Sequence, residues 1–311
     1  METDTPQYDI VIAGAGPAGL TAAIYARRAG KSVMILEKDT FGGQITHSPL
    51  VENYPGFPAI SGNDLAEKLI DQALDLGAEL DVDAVINVLD GGEWKSVITE
   101  RGEYLAKAVI IASGSKHRTL GLPNEEELTG NGVSYCVLCD GAFFAGREVA
   151  VIGGGNSALQ DAVLLSETCT KVTVIQNLSF LTGEEALIKN LQARSNVSFI
   201  FDTIVTGLEG TEDLEALELK NQKTGEVSRF PVNGIFVAIG QVPENKPFAD
   251  VVELNQYGYI VSDEQCLTAT PGVFVAGDCR SKFVRQITTA TGDGAVAALA
   301  ACKYIEATRQ L

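Results

Sequence analysis

The sequence predicts an α/β fold made of two Rossmann-like, three-layer domains of the nucleotide-binding type, the second inserted into the first. Three observations predict it. A strand, glycine turn, helix and second strand open the chain at Tyr8, and the same unit returns when the sequence is shifted so that Gly153 falls on Gly14. Buried-type strands then follow each unit, so segments from both ends of the chain belong together. With 311 residues, 45% of them hydrophobic and 21% charged, the chain has apolar side chains for two full cores, which excludes a disordered protein.

The first unit reads YDIVIAGAGPAGLTAAIYARRAGKSVMILEK. Gly14 permits the tight turn, Gly16 lets backbone approach a pyrophosphate, and Gly19 allows the helix to pack closely on the strand. The helix N-terminus then faces the phosphates. Glu37 ends the second strand about 20 residues on, where an acid holds a ribose hydroxyl pair. Residues 61–77 place Leu65, Leu69, Ile70, Ala73, Leu74 and Leu76 at helical spacing, and residues 84–99 alternate as strands around a turn at Gly91 and Gly92. AVIIASGS, residues 108–115, is a buried strand ending in a glycine turn.

The second unit reads REVAVIGGGNSALQDAVLLSETCTKVTVIQN, with strands predicted at 148–152 and 171–175. Gly153, Gly155 and Ala158 take the places of Gly14, Gly16 and Gly19. Glu37 is replaced by Gln176, and the run Gln176, Asn177, Leu178, Ser179 holds neither an acid for a ribose 2'-hydroxyl nor an arginine for a 2'-phosphate. Such a neutral reader does not suit a dedicated NADH or NADPH site. GIFVAIGQVPEN, residues 234–245, repeats the returning strand, and GVFVAGDC, residues 272–279, puts Asp278 at the end of a third. A long helix from about Thr288 closes the chain. Residues 1–116 and 244–311 are therefore expected to form one discontinuous domain, and residues 117–243 a central one, linked through 116–118 and 243–245.

The stretch C-V-L-C-D carries the most specific chemistry. Cys136 and Cys139, separated by two residues, can close a small disulfide ring, and Asp140 directly after them can move the proton that opening it requires. Half of a zinc site looks the same. A four-ligand site, however, needs a second pair, and Cys169, Cys266, Cys279 and Cys302 stand alone, as do the only histidines, His47 and His117. The redox reading leads, and no metal is expected. Asp140 also stands where it could cap a helix ahead of G-A-F-F, and the two roles are compatible. Cys279 reads as a small buried hydrophobe rather than a reactive thiol.

The first residues, METDTPQYD, lack a basic and then apolar export signal, and no apolar run approaches the roughly 18 residues a membrane span needs. The expectation is a cytoplasmic protein, where a cysteine pair is more often catalytic than structural. A net charge of −18 disfavours nucleic acid and anionic membrane as partners. An acidic protein partner needs a local basic patch, for which Lys116, His117 and Arg118, or Arg280, Lys282 and Arg285, are the clusters available.

Taken in order along essentially the whole chain, GAGPAG, the FGGQI turn, VENYPGF, C-x-x-C-D-G, GGGNSA and AGDC followed by VRQITTATGDGAVAA resemble the low-molecular-weight thioredoxin reductases. These are flavin disulfide reductases. The resemblance implies FAD in the discontinuous domain, with Gly14, Gly16, Pro17, Ala18 and Gly19 at its pyrophosphate and Glu37 near the adenosine ribose. It places Gly43, Gln44 and Asn53 around the isoalloxazine and Asp278 on the ribityl chain. Arg285, Gln286 and Ile287 match the family's R-Q-A at the pyrimidine edge. The same resemblance assigns Cys139 to the flavin, Cys136 to attack on a thioredoxin disulfide and Asp140 to proton transfer. It also implies a homodimer whose central domain rotates so that the cysteine pair alternates between flavin and thioredoxin.

One departure bears on the electron donor. Pyridine-nucleotide enzymes of this type carry V-H-R-R-x-x-x-R where this chain has Val174, Ile175, Gln176, Asn177, Leu178, Ser179, Phe180 and Leu181. Three lost cationic contacts, at about 1.5–3 kcal/mol each, weaken NADPH by several powers of ten. The chain is in this respect similar to the ferredoxin-dependent flavin thioredoxin reductases, which lack that motif. The resemblance thus implies reduced ferredoxin as donor and thioredoxin as substrate. An NAD(P)H-dependent thioredoxin or general disulfide reductase, using Asn177 and backbone contacts, is the alternative. A non-catalytic flavin redox sensor is a third reading.

Overall fold

The computed structural model describes residues 5–48, 51 and 53–308, with the side chains of His47, Leu138 and Cys139 outside the description. The chain forms two compact units, one running to Lys116 and resuming at Val242, the other His117–Gln241. In chain order the first unit carries β1 (Gln7–Ala13), α1 (Pro17–Arg28), β2 (Val33–Glu37), α2 (Gly62–Asp75), β3 (Glu79–Val82), β4 (Val85–Gly91), β5 (Trp94–Thr99) and β6 (Glu103–Ile111). After the connecting strand β7 (Ser115–His117) come β8 (Val133–Ser134), the helical turn α3 (Val137–Asp140), β9 (Glu148–Ile152), α4 (Asn156–Thr168), β10 (Lys171–Ile175) and α5 (Glu185–Gln192). They are followed by β11 (Val197–Ile200), β12 (Thr203–Gly210), β13 (Leu214–Asn221), β14 (Val227–Pro231), β15 (Gly234–Val237) and the connecting strand β16 (Gln241–Pro243). The first unit is completed by β17 (Val273–Val275) and α6 (Ile287–Thr308).

The first unit is built on a sheet of order β3-β2-β1-β6-β5-β4, with β17 also on β6. Its β1, β2, β3, β6 and β17 pair in parallel, in a register that sets Ile12 opposite Ile35 and Ile110. Pleating sends alternate residues to opposite faces. Ile10, Ile12, Ile35 and Ile110 join the core under α1, α2 and α6, while Val11, Met34, Val109 and Ile111 join one containing Phe248, Val251 and Ile260. Burial on both faces explains why these strands are continuously apolar in sequence. The helix α2 starts where Ser61 accepts the Asp64 N–H at 3.0 Å, and it buries Leu65, Leu69 and Ala73. The small residues of α6 let it lie close on α1: a Cβ on Gly294 would run into the Ala18 carbonyl.

The second unit has an all-parallel sheet, β11-β10-β9-β15-β8, and a separate antiparallel sheet, β12-β13-β14. Val149, Val151, Val172 and Val174 face the core under α4, and Ala150, Ile152, Ile175 and Ile235 face the opposite side with Leu217 and Leu219. The fold is thus α/β with two Rossmann-like units. Among the described residues no helix is long and apolar enough to cross a membrane.

Candidate functional site

In the first unit the glycine turn after β1 is fixed by sterics. Gly14 has φ +112°, and a Cβ there would collide with the Ala112 carbonyl, just past the end of β6. Gly19 is held as closely against the Gly14 carbonyl. Gly16 differs: a Cβ on it would meet no protein atom within 4 Å, so nothing in the protein requires its small size. It stands before α1, whose N-terminus has Pro17 in its first turn and no side-chain cap, leaving backbone N–H groups free to meet an anion.

Other predicted residues converge on this turn. Gly43, at φ +61°, lies against Gly16, its would-be Cβ 3.1 Å from the Gly16 Cα. Gln44 follows it, exposed, in the helical turn Gly43–His47. Glu37 Oε2 accepts the Ala15 N–H at 2.8 Å, and its Oε1 accepts those of Lys38 and Asp39. The acid is thereby pinned beside the turn.

The segment after β17 supplies the remainder. Asp278 sits in the turn Gly277–Cys279, and its Oδ1 is buried with no hydrogen-bond partner among the described residues. Burial pushes the Asp278 carboxyl up, and the cations Lys282 and Arg285 oppose the rise. Arg285 Nε donates to the Asp278 carbonyl at 3.4 Å, and its guanidinium stacks 4.1 Å above the Tyr259 ring. Asn53 donates to Gln286 Oε1 at 3.2 Å, so two residues far apart in sequence meet. Ile287 opens α6 and packs on the core. Cys279 is fully buried, its thiol donating to the Ala276 carbonyl, in keeping with a packing role.

In the second unit Cys136 is disulfide-bonded and directly precedes α3. The side chain of Cys139 lies outside the described residues. Asp140 occupies the cap position of the helical turn Gly141–Phe144, yet its side chain makes no capping bond. Its Oδ2 instead accepts the Ser134 hydroxyl at 2.6 Å, and the same hydroxyl oxygen accepts the Cys136 N–H at 3.1 Å. Ser134, buried at the end of β8, was not singled out by sequence reasoning. Its only signal there was a small hydroxyl residue two positions before Cys136.

The second glycine turn repeats the geometry of the first. Gly153 has φ +128° and meets the Ala238 carbonyl as Gly14 meets that of Ala112. Its surroundings differ. Gln176 is buried against Gly154, where a Cβ would come within 2.5 Å of its Nε2. Its Oε1 accepts the Asn177 N–H and its Nε2 donates to the Phe180 carbonyl. The Gly154 carbonyl accepts the N–H groups of Thr182 and Gly183 at 2.8 and 3.1 Å, and Asn156 is paired with Glu184. The loop thus closes on its own turn, showing Leu178 and Phe180 to solvent.

One expectation needs correction. Arg280 and Lys282 are not a surface patch: their side chains are 11% and 9% exposed and both pair with Asp293, at 2.8 and 2.9 Å. Lys116 is exposed but shared between Glu244 and Asp39.

A family model described as pyridine nucleotide-disulphide oxidoreductase matches residues 8–294. The chain belongs to the pyridine nucleotide-disulphide oxidoreductase family, whose members are FAD-binding flavoproteins. Within it, the chain is 42% identical over 307 residues to a thioredoxin reductase of Listeria innocua, covering 98% of this chain and 96% of that one. The crystal structure of Lactococcus lactis thioredoxin reductase is 39% identical, with a TM-score of 0.82 over 96% of this chain and 99% of that one. A ferredoxin-flavin thioredoxin reductase of Clostridium acetobutylicum is 27% identical, with a TM-score of 0.56 over 99% and 100%.

The first unit fits FAD on its own evidence. The open space at Gly16, the uncapped α1 N-terminus and the Asp278 oxygen that accepts no hydrogen bond among the described residues fit a ligand with an anionic group and hydroxyls. A buried acceptor left without a donor costs about 1–3 kcal/mol, which a ligand hydroxyl removes.

Proposed function

We propose that this chain is a flavin-dependent thioredoxin reductase that takes its electrons from reduced ferredoxin rather than from NADPH. Bound FAD supplies the step between one-electron donors and a two-electron disulfide. On this reading Gly14, Gly16, Pro17, Ala18 and Gly19 hold its pyrophosphate, Glu37 its adenosine ribose and Asp278 its ribityl chain. Gly43, Gln44, Asn53, Arg285, Gln286 and Ile287 surround the ring system, and a dimer is the proposed assembly.

The protein's own residues handle thiols and protons. Reduction of the Cys136–Cys139 disulfide takes two electrons and two protons. Asp140, aimed by Ser134, delivers a proton to the departing thiolate. Cys136 then attacks the thioredoxin disulfide, forming a mixed disulfide, and Cys139 resolves it, so the internal disulfide returns as the thioredoxin dithiol leaves.

The observation that carries the donor assignment is Gln176. At the place of the acid in the first turn stands a neutral side chain, buried against Gly154 with both polar ends on loop backbone, and no basic residue from 174 to 184. The relative from Clostridium acetobutylicum, named a ferredoxin-flavin thioredoxin reductase, supports the same donor. The retained turn at Gly153 and the 42% identical relative favour a second reading, a pyridine nucleotide donor. Anaerobic mixing decides. Reduced ferredoxin should bleach the flavin within the turnover time while 100 µM-scale NADPH or NADH bleaches it at least about a hundredfold more slowly, the loss expected from two or more missing charged contacts. Equal rates would overturn the ferredoxin assignment. Absence of thioredoxin reduction with every donor would overturn the enzyme itself.

A further inference from the structure

The buried charges behind Asp278 have no part in the chemistry above, and they form a built arrangement. Lys282 Nζ lies 2.9 Å from Asp293 Oδ2, 3.1 Å from Thr289 Oγ1 and 3.6 Å from Asp278 Oδ1, the carboxylate oxygen without a hydrogen-bond partner among the described residues. Asp293 is fixed in turn, accepting the Gly277 N–H at 3.1 Å and Arg280 Nη1 at 2.8 Å. Arg280 is held by the Ser262 hydroxyl and the Asp263 carbonyl. Lys282, Arg280 and Asp293 are all at most 14% exposed. Three charges withdrawn from water in this way are costly unless their geometry serves one another or a ligand. The group toward which the chain of contacts leads is Asp278.

We propose that Lys282 is a positioning residue for the flavin: fixed by Asp293 and Thr289, it holds the Asp278 carboxylate in place to accept a hydroxyl of the ribityl chain. Three observations support this. Lys282, four residues from Asp278, is shared between Asp278 at 3.6 Å and Asp293 of α6 at 2.9 Å. The Gly277 N–H, one residue before Asp278, is bonded to the same Asp293 oxygen that takes Lys282, so backbone and side chain are located by one acid. Burial alone favours a neutral Asp278, a poorer acceptor, and Lys282 is the first cation opposing it. A mere surface ion pair would show none of these features.

The proposal rests on Asp278 being the ribityl contact, and a double-mutant cycle read by FAD affinity separates the two claims. Apo-protein of the wild type, Lys282→Met, Lys282→Arg, Asp278→Asn and Asp278→Asn with Lys282→Met is titrated with FAD, following flavin fluorescence. Lys282→Met should weaken FAD by about tenfold or more, and Lys282→Arg should restore most of the loss. In the Asp278→Asn background the lysine change should cost less than about twofold. Lys282→Gln is run alongside under the same criterion, and circular dichroism of each apo-protein identifies any variant that fails to fold. Equal weakening by the lysine change in both backgrounds would make Lys282 structural and overturn the proposal. An Asp278→Asn variant with wild-type FAD affinity would overturn the ribityl assignment and the proposal with it. Neither outcome involves thioredoxin or an electron donor.

Discussion

The Ser134 hydroxyl links two groups to which the proposed function gives the thiol chemistry, accepting from the Cys136 N–H and donating to Asp140. It holds the carboxylate away from capping the next helical turn. Asp140→Asn should therefore lower thioredoxin turnover by about 10²–10⁴-fold, the range for loss of a general acid, with FAD retained. Ser134→Ala should lower it less, by about three- to tenfold, since the acid remains but is no longer aimed. Steady-state kinetics with the flavin spectrum as control checks both. The remaining thiols behave differently. Burial pushes those of Cys169, Cys266, Cys279 and Cys302 up, that of Cys266 to about 11, helped by the charge of Asp293. A raised thiol value means less thiolate at ordinary pH, with reactivity gained only as pH climbs toward that value. A disulfide reagent at pH 8 should leave these four unmodified in the reduced, folded protein, and denaturant should release them.

At the scale of elements, the two strand-turn-helix units allow a matched comparison. Gly16 and Gly155 are equivalent, both extended, and a Cβ on either meets almost nothing of the protein: no atom within 4 Å at Gly16 and only the Thr182 Oγ1 at 3.8 Å at Gly155. On the proposed reading the FAD pyrophosphate fills that space, so Gly16→Ala should nonetheless lose FAD affinity by at least about tenfold, while Gly155→Ala should leave melting temperature and ferredoxin-driven turnover as in the wild type. A large loss in Gly155→Ala would return a nucleotide to the second turn. Both turns were legible in the sequence because the strand, glycine turn and helix that make each one are contiguous, and Gly14 and Gly153 take the positive φ that favours glycine. The missing cations after Ile175 were legible for the same reason. That Gln176 would fold over Gly154 and bond its own loop was not, since a neutral side chain has no fixed direction until its neighbours are in place.

For the whole molecule, the doubly repeated α/β architecture was readable from period and glycine placement, whereas the fate of its charges was not. Arg280 and Lys282 look like a basic surface beside a net charge of −18, yet they are buried because Asp293, eleven residues beyond Lys282 on α6, meets them once the helix docks. A pair of that kind depends on tertiary placement, which composition does not encode. Ligand effects on stability should divide along the same lines. A ligand bound only by the native state at a hundredfold over its dissociation constant adds about 2.7 kcal/mol, so FAD should raise the melting temperature of the apo-protein by several degrees, read by differential scanning calorimetry. NADPH or NADH at the same excess over a micromolar constant should leave it unmoved. The loop at Gln176, whose polar ends are already answered by its own backbone, gives that indifference a wider meaning. On the proposed reading, a reductase with this loop would be insulated from the cell's pool of pyridine nucleotides, and its output would follow the reduction state of one-electron carriers.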